Sequence, residues 1–235
     1  MGIIPFFACD VWDDEELKEF PEFYAAYQWL TQKRSHLTDS CIQAIPHASS
    51  TKHVFGLLNA KELEHFLKNI WDPEEFRSDY GLRSLSKYHE KHPAKLHHFT
   101  LSYEPGETKE KIKGGNSNWR GPVWFPLNFL LIDTLTRLHG AFNNSMHIQV
   151  GKEEKVNLGQ MALSFSERLL SLFKQDAQGN RPIHGDLEKF QKDPHFKNHI
   201  LFYEHFHGDT GRGLGASHQT GWTALVANLI DELRK

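Results

Sequence analysis

The sequence has few cysteines, no excess of positive charge and no long apolar run. Its 235 residues contain 2 cysteines, which argues against a disulfide-stabilised secreted scaffold. Lys and Arg total 27 against 30 Asp and Glu, so we expect neither nucleic acid nor an anionic membrane surface as a partner. No apolar segment approaches the roughly 20 residues of a membrane span. We therefore expect a soluble, cytoplasmic protein.

Motifs for nucleophilic and nucleotide chemistry are also missing. No G-x-S-x-G segment occurs, and Ser166 lies on an amphipathic stretch, so a serine nucleophile has no local support. Gly211, Gly213 and Gly215 lack the Lys-Ser/Thr of a phosphate-binding loop, and a tight turn before the last helix is the simpler interpretation. We predict no cofactor.

Helical periodicity dominates what is present. Apolar residues recur at i, i+3, i+4 and i+7 in several segments, and Pro73 ends one of them. Between these segments lie long polar loops, and residues 40–58 are interpreted as a loop with a short strand or hairpin. The pattern predicts an all-α fold in one domain, 1–235. The predicted helices are residues 21–34, 60–71, 123–138, 158–174 and 217–233.

Residues 202–223 are the most site-like stretch of the chain. Glu204 stands among aromatic and imidazole side chains, which can bury a carboxylate and tune its proton affinity, as a general base requires. The neighbouring His207 could donate a hydrogen bond, and Asp209 could form the turn or accept a hydrogen bond from a ligand. The alternative for Glu204 is a core acid paired with Arg212 or Lys197.

A metal site is a third possibility for the same stretch. His205, His207, Asp209 and His218 are metal-ligand types, and in an extended segment His205 and His207 would point to one side. The sequence has no second ligand motif such as H-E-x-x-H. We therefore predict no metal.

A second constellation precedes the helix predicted for residues 123–138. Indole faces pack against the apolar faces of sugar rings, while amide and guanidinium groups bond sugar hydroxyls, so this group predicts a carbohydrate subsite. Arg83 is a possible further contributor. The alternative is a helix cap beside core tryptophans. The residues concerned are Asn116, Asn118, Trp119, Arg120 and Trp124.

Three motifs, in this order, resemble the C-terminal half of glycoside hydrolase family 63-like enzymes. This group includes mannosyl-oligosaccharide glucosidase-like proteins and mannosylglycerate hydrolases, and it is more distantly similar to trehalases. The resemblance covers most of the chain. The motifs are Gly81-Leu-Arg-Ser-Leu-Ser86, Gly114-Gly-Asn-Ser-Asn-Trp-Arg-Gly-Pro-Val-Trp124 and Tyr203-Glu-His-Phe followed by Gly221-Trp-Thr223.

The resemblance implies an inverting hydrolase of α-linked glycosides, glucosidase-like, built on an α/α barrel. Glu204 would be the general base, and the substrate would be an oligosaccharide or small glycoside. Trp119 and Gly121 match a loop that contacts substrate, and Gln219 and Trp222 match contacts that follow the base.

One expected element is missing. The general acid of the family is an Asp in an upstream motif that this sequence lacks, and Asp72, Asp79, Asp186 and Asp209 are the nearest substitutes. With about half the helices of a six-hairpin toroid, the chain is interpreted as the C-terminal portion of such a catalytic domain. The missing N-terminal half or self-association would then supply partners. The alternative function is a non-catalytic carbohydrate-binding or interaction module.

Overall fold

The computed structural model describes residues 3–96, 99–108 and 118–234. They are mostly helical, at 44% helix, and the prediction of a mainly helical protein is confirmed. A strand content of 15% corrects the expectation of an all-α fold. The helices are α1 Asp14–Lys18, α2 Pro21–Lys33, α3 Ser35–Thr38, α4 Ala60–Trp71, α5 Phe125–Phe142, α6 Leu158–Ser171, α7 Glu188–Lys192, α8 Thr220–Thr223 and α9 Val226–Glu232.

Short antiparallel strands make up the rest of the regular structure. One sheet has three strands in the order β1-β3-β2, and the other strands form two-stranded hairpins. Hairpins this short leave no long apolar alternation in the sequence, so the periodicity did not predict them. The strands are β1 Asp10–Asp13, β2 Ile42–Pro46, β3 Thr51–Phe55, β4 Arg77–Ser78, β5 Gly81–Leu82, β6 Ala94–Leu96, β7 Phe99–Leu101, β8 His147–Ile148, β9 Val156–Asn157, β10 His205–Phe206 and β11 Gly213–Leu214.

The chain divides into two compact units. The first comprises Met1–Lys68 and Leu131–Ala162. It holds the three-stranded sheet, in which Phe55 of β3 lies opposite both Asp10 and Ile42. The rings of Phe23 and Tyr27 on α2 pack on Phe55, although α2 buries no residue completely.

The second unit comprises Asn69–Leu130 and Leu163–Lys235, and it contains every candidate site residue. Its core includes Trp71 and Phe165, whose rings meet edge to face, and Phe206, which packs edge to face on Phe173. Asn128 is fully buried within this apolar surrounding. It accepts a hydrogen bond from the Leu82 N–H over 2.6 Å and donates to the Trp124 carbonyl over 2.9 Å, so its polar groups are satisfied and β5 is tied to α5.

Four of the five predicted helices occur with small shifts at their ends. The prediction for residues 60–71 coincides with α4, whereas α5 begins at Phe125 rather than Val123. The backbone of Val123 forms bridges to Arg83 and Phe206, exchanging N–H···O bonds of 2.8 and 2.9 Å with Phe206, so it is extended and cannot join the helix. No helix among the described residues has the length and apolar character needed to cross a membrane.

The last predicted helix, residues 217–233, is broken into α8 and α9. At the interruption the Leu225 N–H donates to the Trp222 carbonyl, three residues back rather than the four of an α-helix, over 3.3 Å. The Thr223 hydroxyl donates to the Tyr203 carbonyl over 2.5 Å, which holds α8 against the stretch that carries Glu204. Thr223 is fully buried, so this contact within the second unit governs where α8 lies.

Candidate active site

The scaffold of the site is a small set of extended segments. β10 pairs with β11, placing Phe206 opposite Gly213, and Phe206 also bridges to Val123. A methyl group on Gly213 would lie 2.1 Å from the Tyr203 ring, so only glycine permits this close packing. The hairpin therefore brings the residues on both sides of β10 next to the segment that precedes α5.

Glu204 is partly buried immediately before β10. Its N–H donates to the Ala216 carbonyl over 2.9 Å, and its Oε2 accepts the Ala216 N–H over 3.1 Å. The ion pairs considered in the sequence analysis do not form in the described part of the chain, because Arg212 pairs with Asp186 over 2.8 Å. Oε1 of Glu204 has no donor among the described residues and can accept one from water or a ligand.

His205 is one end of an aromatic stack, which we define as Trp119, Trp124 and His205. The indole rings of Trp119 and Trp124 are 4.1 Å apart at an angle of 3°, and Trp124 and His205 are 4.6 Å apart at 18°. Burial lowers the pKa of His205, while the negative charges of Glu204 and Glu107 act in the opposite direction. The stack thus connects the predicted carbohydrate subsite to the residue next to the predicted base.

Two residues that follow the base lie near this stack. Trp222 on α8 is 37% exposed, and its ring centroid is 5.6 Å from that of Trp124. Gln219 precedes α8 and donates its N–H to the Phe202 carbonyl over 2.6 Å. Gln219 is thereby held beside Phe202 and Trp222 beside Trp124, and their contacts with a substrate remain predictions.

Asp209 is the centre of a polar cluster with Arg83 and Tyr103. Its Oδ1 accepts a hydrogen bond from Arg83 Nη2 over 3.2 Å and from the Tyr103 hydroxyl over 2.9 Å. Arg83 is 6% exposed and also donates to the carbonyls of Pro73 and Arg77. Burial raises the pKa of Tyr103. The structure uses Arg83 to hold the turn at Asp209, and substrate binding by either side chain remains a prediction.

The other residues of the predicted carbohydrate subsite differ in accessibility. Trp124 is 1% exposed and Arg120 is 4% exposed, with Arg120 Nη1 bonded to Glu104 Oε1 over 3.0 Å. Gly121 has φ +142°, and a methyl group there would lie 2.5 Å from the Tyr103 ring. These three residues support the site from beneath. Trp119 and Asn118 are partly buried, and Gly114 to Ser117, including Asn116, lie outside the described residues.

The described histidines do not gather into a metal site. Within the ranges that the structure describes, no three His, Cys, Asp or Glu side chains converge on one point. His207 Nδ1 accepts the Asp209 N–H over 3.2 Å, and burial lowers the pKa of His207. The Asp209 carboxylate itself forms an ion pair with Arg83.

Glu107 is a residue of this site that the sequence analysis missed. Its Oε1 accepts the Gly215 N–H over 3.2 Å, one residue before the amide that binds Glu204. The only signal for it in the sequence was its place near an irregular polar segment of unusual length, since no motif surrounds it. The hairpin contact that brings it to Glu204 joins residues 108 positions apart.

Comparison with known proteins identifies relatives of this chain. Residues 30–223 match the mannosylglycerate hydrolase MGH1-like glycoside hydrolase domain. An uncharacterized protein of Saccharomyces cerevisiae is 39% identical over 99% of this chain and 22% of its own length.

Two glucosidases are more distant relatives. The mannosyl-oligosaccharide glucosidase of S. cerevisiae is 25% identical over 73% of this chain and 15% of its own length. A probable mannosyl-oligosaccharide glucosidase of Schizosaccharomyces pombe is 25% identical over 76% and 17%. The chain thus spans about a fifth of the length of these relatives. The predicted resemblance is confirmed: the chain belongs to the MGH1-like, family 63-like glycoside hydrolases.

Proposed function

We propose that this chain carries the general-base half of an inverting α-glycosidase site, with Glu204 activating the attacking water. The observation that carries the proposal is the position of Glu204: one carboxylate oxygen accepts the Ala216 N–H and the other has no donor among the described residues. A base needs a fixed carboxylate with a free oxygen within reach of water. The indoles of Trp119 and Trp222, which we call the sugar platform, would hold the sugar ring.

An inverting mechanism also needs a carboxylic acid on the other side of the glycosidic oxygen. Three of the aspartates considered as substitutes are paired with arginines: Asp79 with Arg168, Asp186 with Arg212 and Asp209 with Arg83. Asp72 accepts the Glu74 N–H at a turn. Each of these four carboxylates thus already has an ion-pair or hydrogen-bond partner within the described residues, whereas a general acid has to face the glycosidic oxygen. We propose that the acid comes from sequence outside these 235 residues.

The same proposal includes a larger fold. The helices described above would form part of an α/α barrel whose remaining hairpins come from elsewhere in the protein or from a second copy. Ile230 and Leu233 of the last helical segment are 39% and 42% exposed, which leaves apolar surface for such a partner. A monodisperse monomer of these 235 residues that binds no hydrophobic dye would contradict it.

The test of the base assignment is the Glu204→Gln variant, made in the chain together with the sequence that flanks it in its own organism. Turnover of mannosylglycerate and of p-nitrophenyl α-D-glucoside should fall on the order of 10²–10⁴-fold, while binding of the intact substrate persists. Glu188→Gln is the matched control, since Glu188 is an exposed carboxylate in a surface ion pair with Lys192. Full activity of Glu204→Gln would show that another residue is the base.

The second candidate function is a carbohydrate-binding module without hydrolysis. Its support is the exposed ring of Trp222 beside the aromatic stack, together with the arginine partners of Asp79, Asp186 and Asp209. The two functions differ in one measurement. Equal sugar binding by the wild type and Glu204→Gln, with no turnover by either, favours the binding module.

A further inference from the structure

Hydrogen bonds join the segment that contains Glu107 to the turn that follows β10. The Tyr103 hydroxyl donates to Asp209, and the Gly208 N–H donates to the Pro105 carbonyl over 2.8 Å. A methyl group on Gly106 would lie 3.1 Å from the His207 ring, so the two segments touch there as well. Glu107 is therefore placed by the residues that precede it as well as by its contact with Gly215.

Glu107 and Glu204 are bound by consecutive backbone amides. The Gly215 N–H donates to Glu107 Oε1 over 3.2 Å, and the Ala216 N–H donates to Glu204 Oε2 over 3.1 Å. Neither carboxylate forms an ion pair within the described residues. Two neighbouring negative charges repel each other, so such a pair without a cation does not stabilise the fold.

His205 gives an independent indication that a ligand binds here. It is completely buried, and in the part of the chain that the structure describes neither ring nitrogen has a hydrogen-bond partner. A methyl group on Gly215 would lie 2.9 Å from His205 Nδ1 and 2.6 Å from Glu204 Oε2, so both atoms face the same space. An unpaired buried polar atom is costly, and native proteins keep few of them without a functional reason.

The chemistry of the two carboxylates suggests what that ligand presents. An ionised carboxylate only accepts hydrogen bonds, and the hydroxyl groups of a sugar donate them. Glu107 is exposed and reachable from solvent, and its carboxylate is bound to the same turn, at Gly215 and Ala216, as that of the predicted base. We infer that Glu107 is a substrate-binding carboxylate of this site, which accepts hydrogen bonds from hydroxyl groups of the bound glycoside beside Glu204.

This inference rests on the proposed glycosidase function, and the Glu107→Gln variant tests it. Glutamine retains the oxygen that accepts the Gly215 N–H, so the fold should persist, which thermal unfolding would verify. With mannosylglycerate and p-nitrophenyl α-D-glucoside as probes, we expect KM to rise about 10-fold or more with kcat little changed, since a charged hydrogen bond to the substrate is lost. Glu90→Gln, an exposed carboxylate in the same unit, is the control.

The outcomes distinguish this inference from the proposed function. An unchanged KM in Glu107→Gln, with activity still lost in Glu204→Gln, overturns the role of Glu107 alone. A loss of kcat with unchanged substrate affinity overturns it in favour of a proton-transfer role. If Glu204→Gln stays active while Glu107→Gln raises KM, the base assignment fails and the binding role stands. If the wild type neither binds nor cleaves the probes, both are wrong.

Discussion

Arg83 donates from Nη2 to Oδ1 of Asp209 over 3.2 Å, joining residues 126 positions apart in the sequence. The guanidinium is buried, whereas the carboxylate is one-third exposed. Because Arg83 also bonds the Tyr103 hydroxyl and two backbone carbonyls, it connects the segment that precedes the site to the turn that follows β10. This ion pair thus helps to fix the two segments that carry Glu107 and Glu204.

Replacement of Arg83 by methionine should destabilise the protein strongly. It removes one of the two donors to Asp209 Oδ1 and the donor to the Tyr103 hydroxyl and to two carbonyls. Each buried acceptor that is left unsatisfied costs about 1–3 kcal/mol. Lys192→Met, which removes a fully exposed surface pair with Glu188, should change the free energy of unfolding very little. Urea unfolding measures both. Equal losses of unfolding free energy in the two variants would contradict this role of Arg83.

Gly215→Ala should disturb the site as well as the backbone. Gly215 has φ +70°, and the added methyl would lie 2.6 Å from Glu204 Oε2 and within 3 Å of the His205 ring. Gly179→Ala is the matched control, because Gly179 has φ +83° with no atom within 4 Å of the added methyl.

The strain of a positive φ alone should cost either variant roughly 1 kcal/mol. Only Gly215→Ala should also lower glycoside binding, which is measured by tryptophan fluorescence. Binding that falls equally in both variants would contradict the placement of Glu204 against Gly215.

Removal of either indole of the sugar platform, Trp119 or Trp222, should weaken sugar binding. Trp119→Ala and Trp222→Ala should each weaken glycoside binding about 10-fold, the usual scale for an aromatic anchor in a binding site. Trp29→Ala is the control, because Trp29 lies on α2 in the first unit and is 56% exposed. Calorimetric titration with mannosylglycerate measures the difference. Undiminished binding in both site variants would exclude the platform.

Stability should fall as the solution becomes acidic below about pH 6.5, the ordinary histidine pKa. Burial lowers the pKa of His184, His205 and His207 in the folded state, so below that pH the unfolded chain binds more protons than the folded chain. The stability that comes from keeping these histidines neutral is therefore fully present above about pH 6.5. It is lost as the pH falls through their lowered pKa values in the folded state.

His205→Phe keeps a ring against Trp124 and removes one of these proton sites, so its melting temperature should depend less on pH. Thermal unfolding between pH 5 and 8 compares the two proteins. Parallel curves for the wild type and the variant would contradict a buried neutral His205.

The helices were predictable wherever burial followed a regular period. Leu63, Leu67 and Ile70 form one buried stripe, and α4 has the predicted ends. Val123 and Leu225 were assigned to helices because their side chains continue an apolar pattern. In the folded chain Val123 instead bridges to Phe206, and Leu225 lies at the interruption before α9. Apolar periodicity reports which side chains are buried but not which backbone groups are paired across the chain.

By itself the sequence determined the mainly helical character, the family and the stretch around Glu204, because these depend on local periodicity and on short motifs. Only the tertiary structure decided that Arg83, Arg120 and Trp124 lie beneath the site and that Glu107 stands next to Glu204. Those relationships depend on contacts between residues far apart in the sequence. Whether a polar side chain faces a ligand or satisfies a buried neighbour depends on which distant backbone groups and charges surround it after folding.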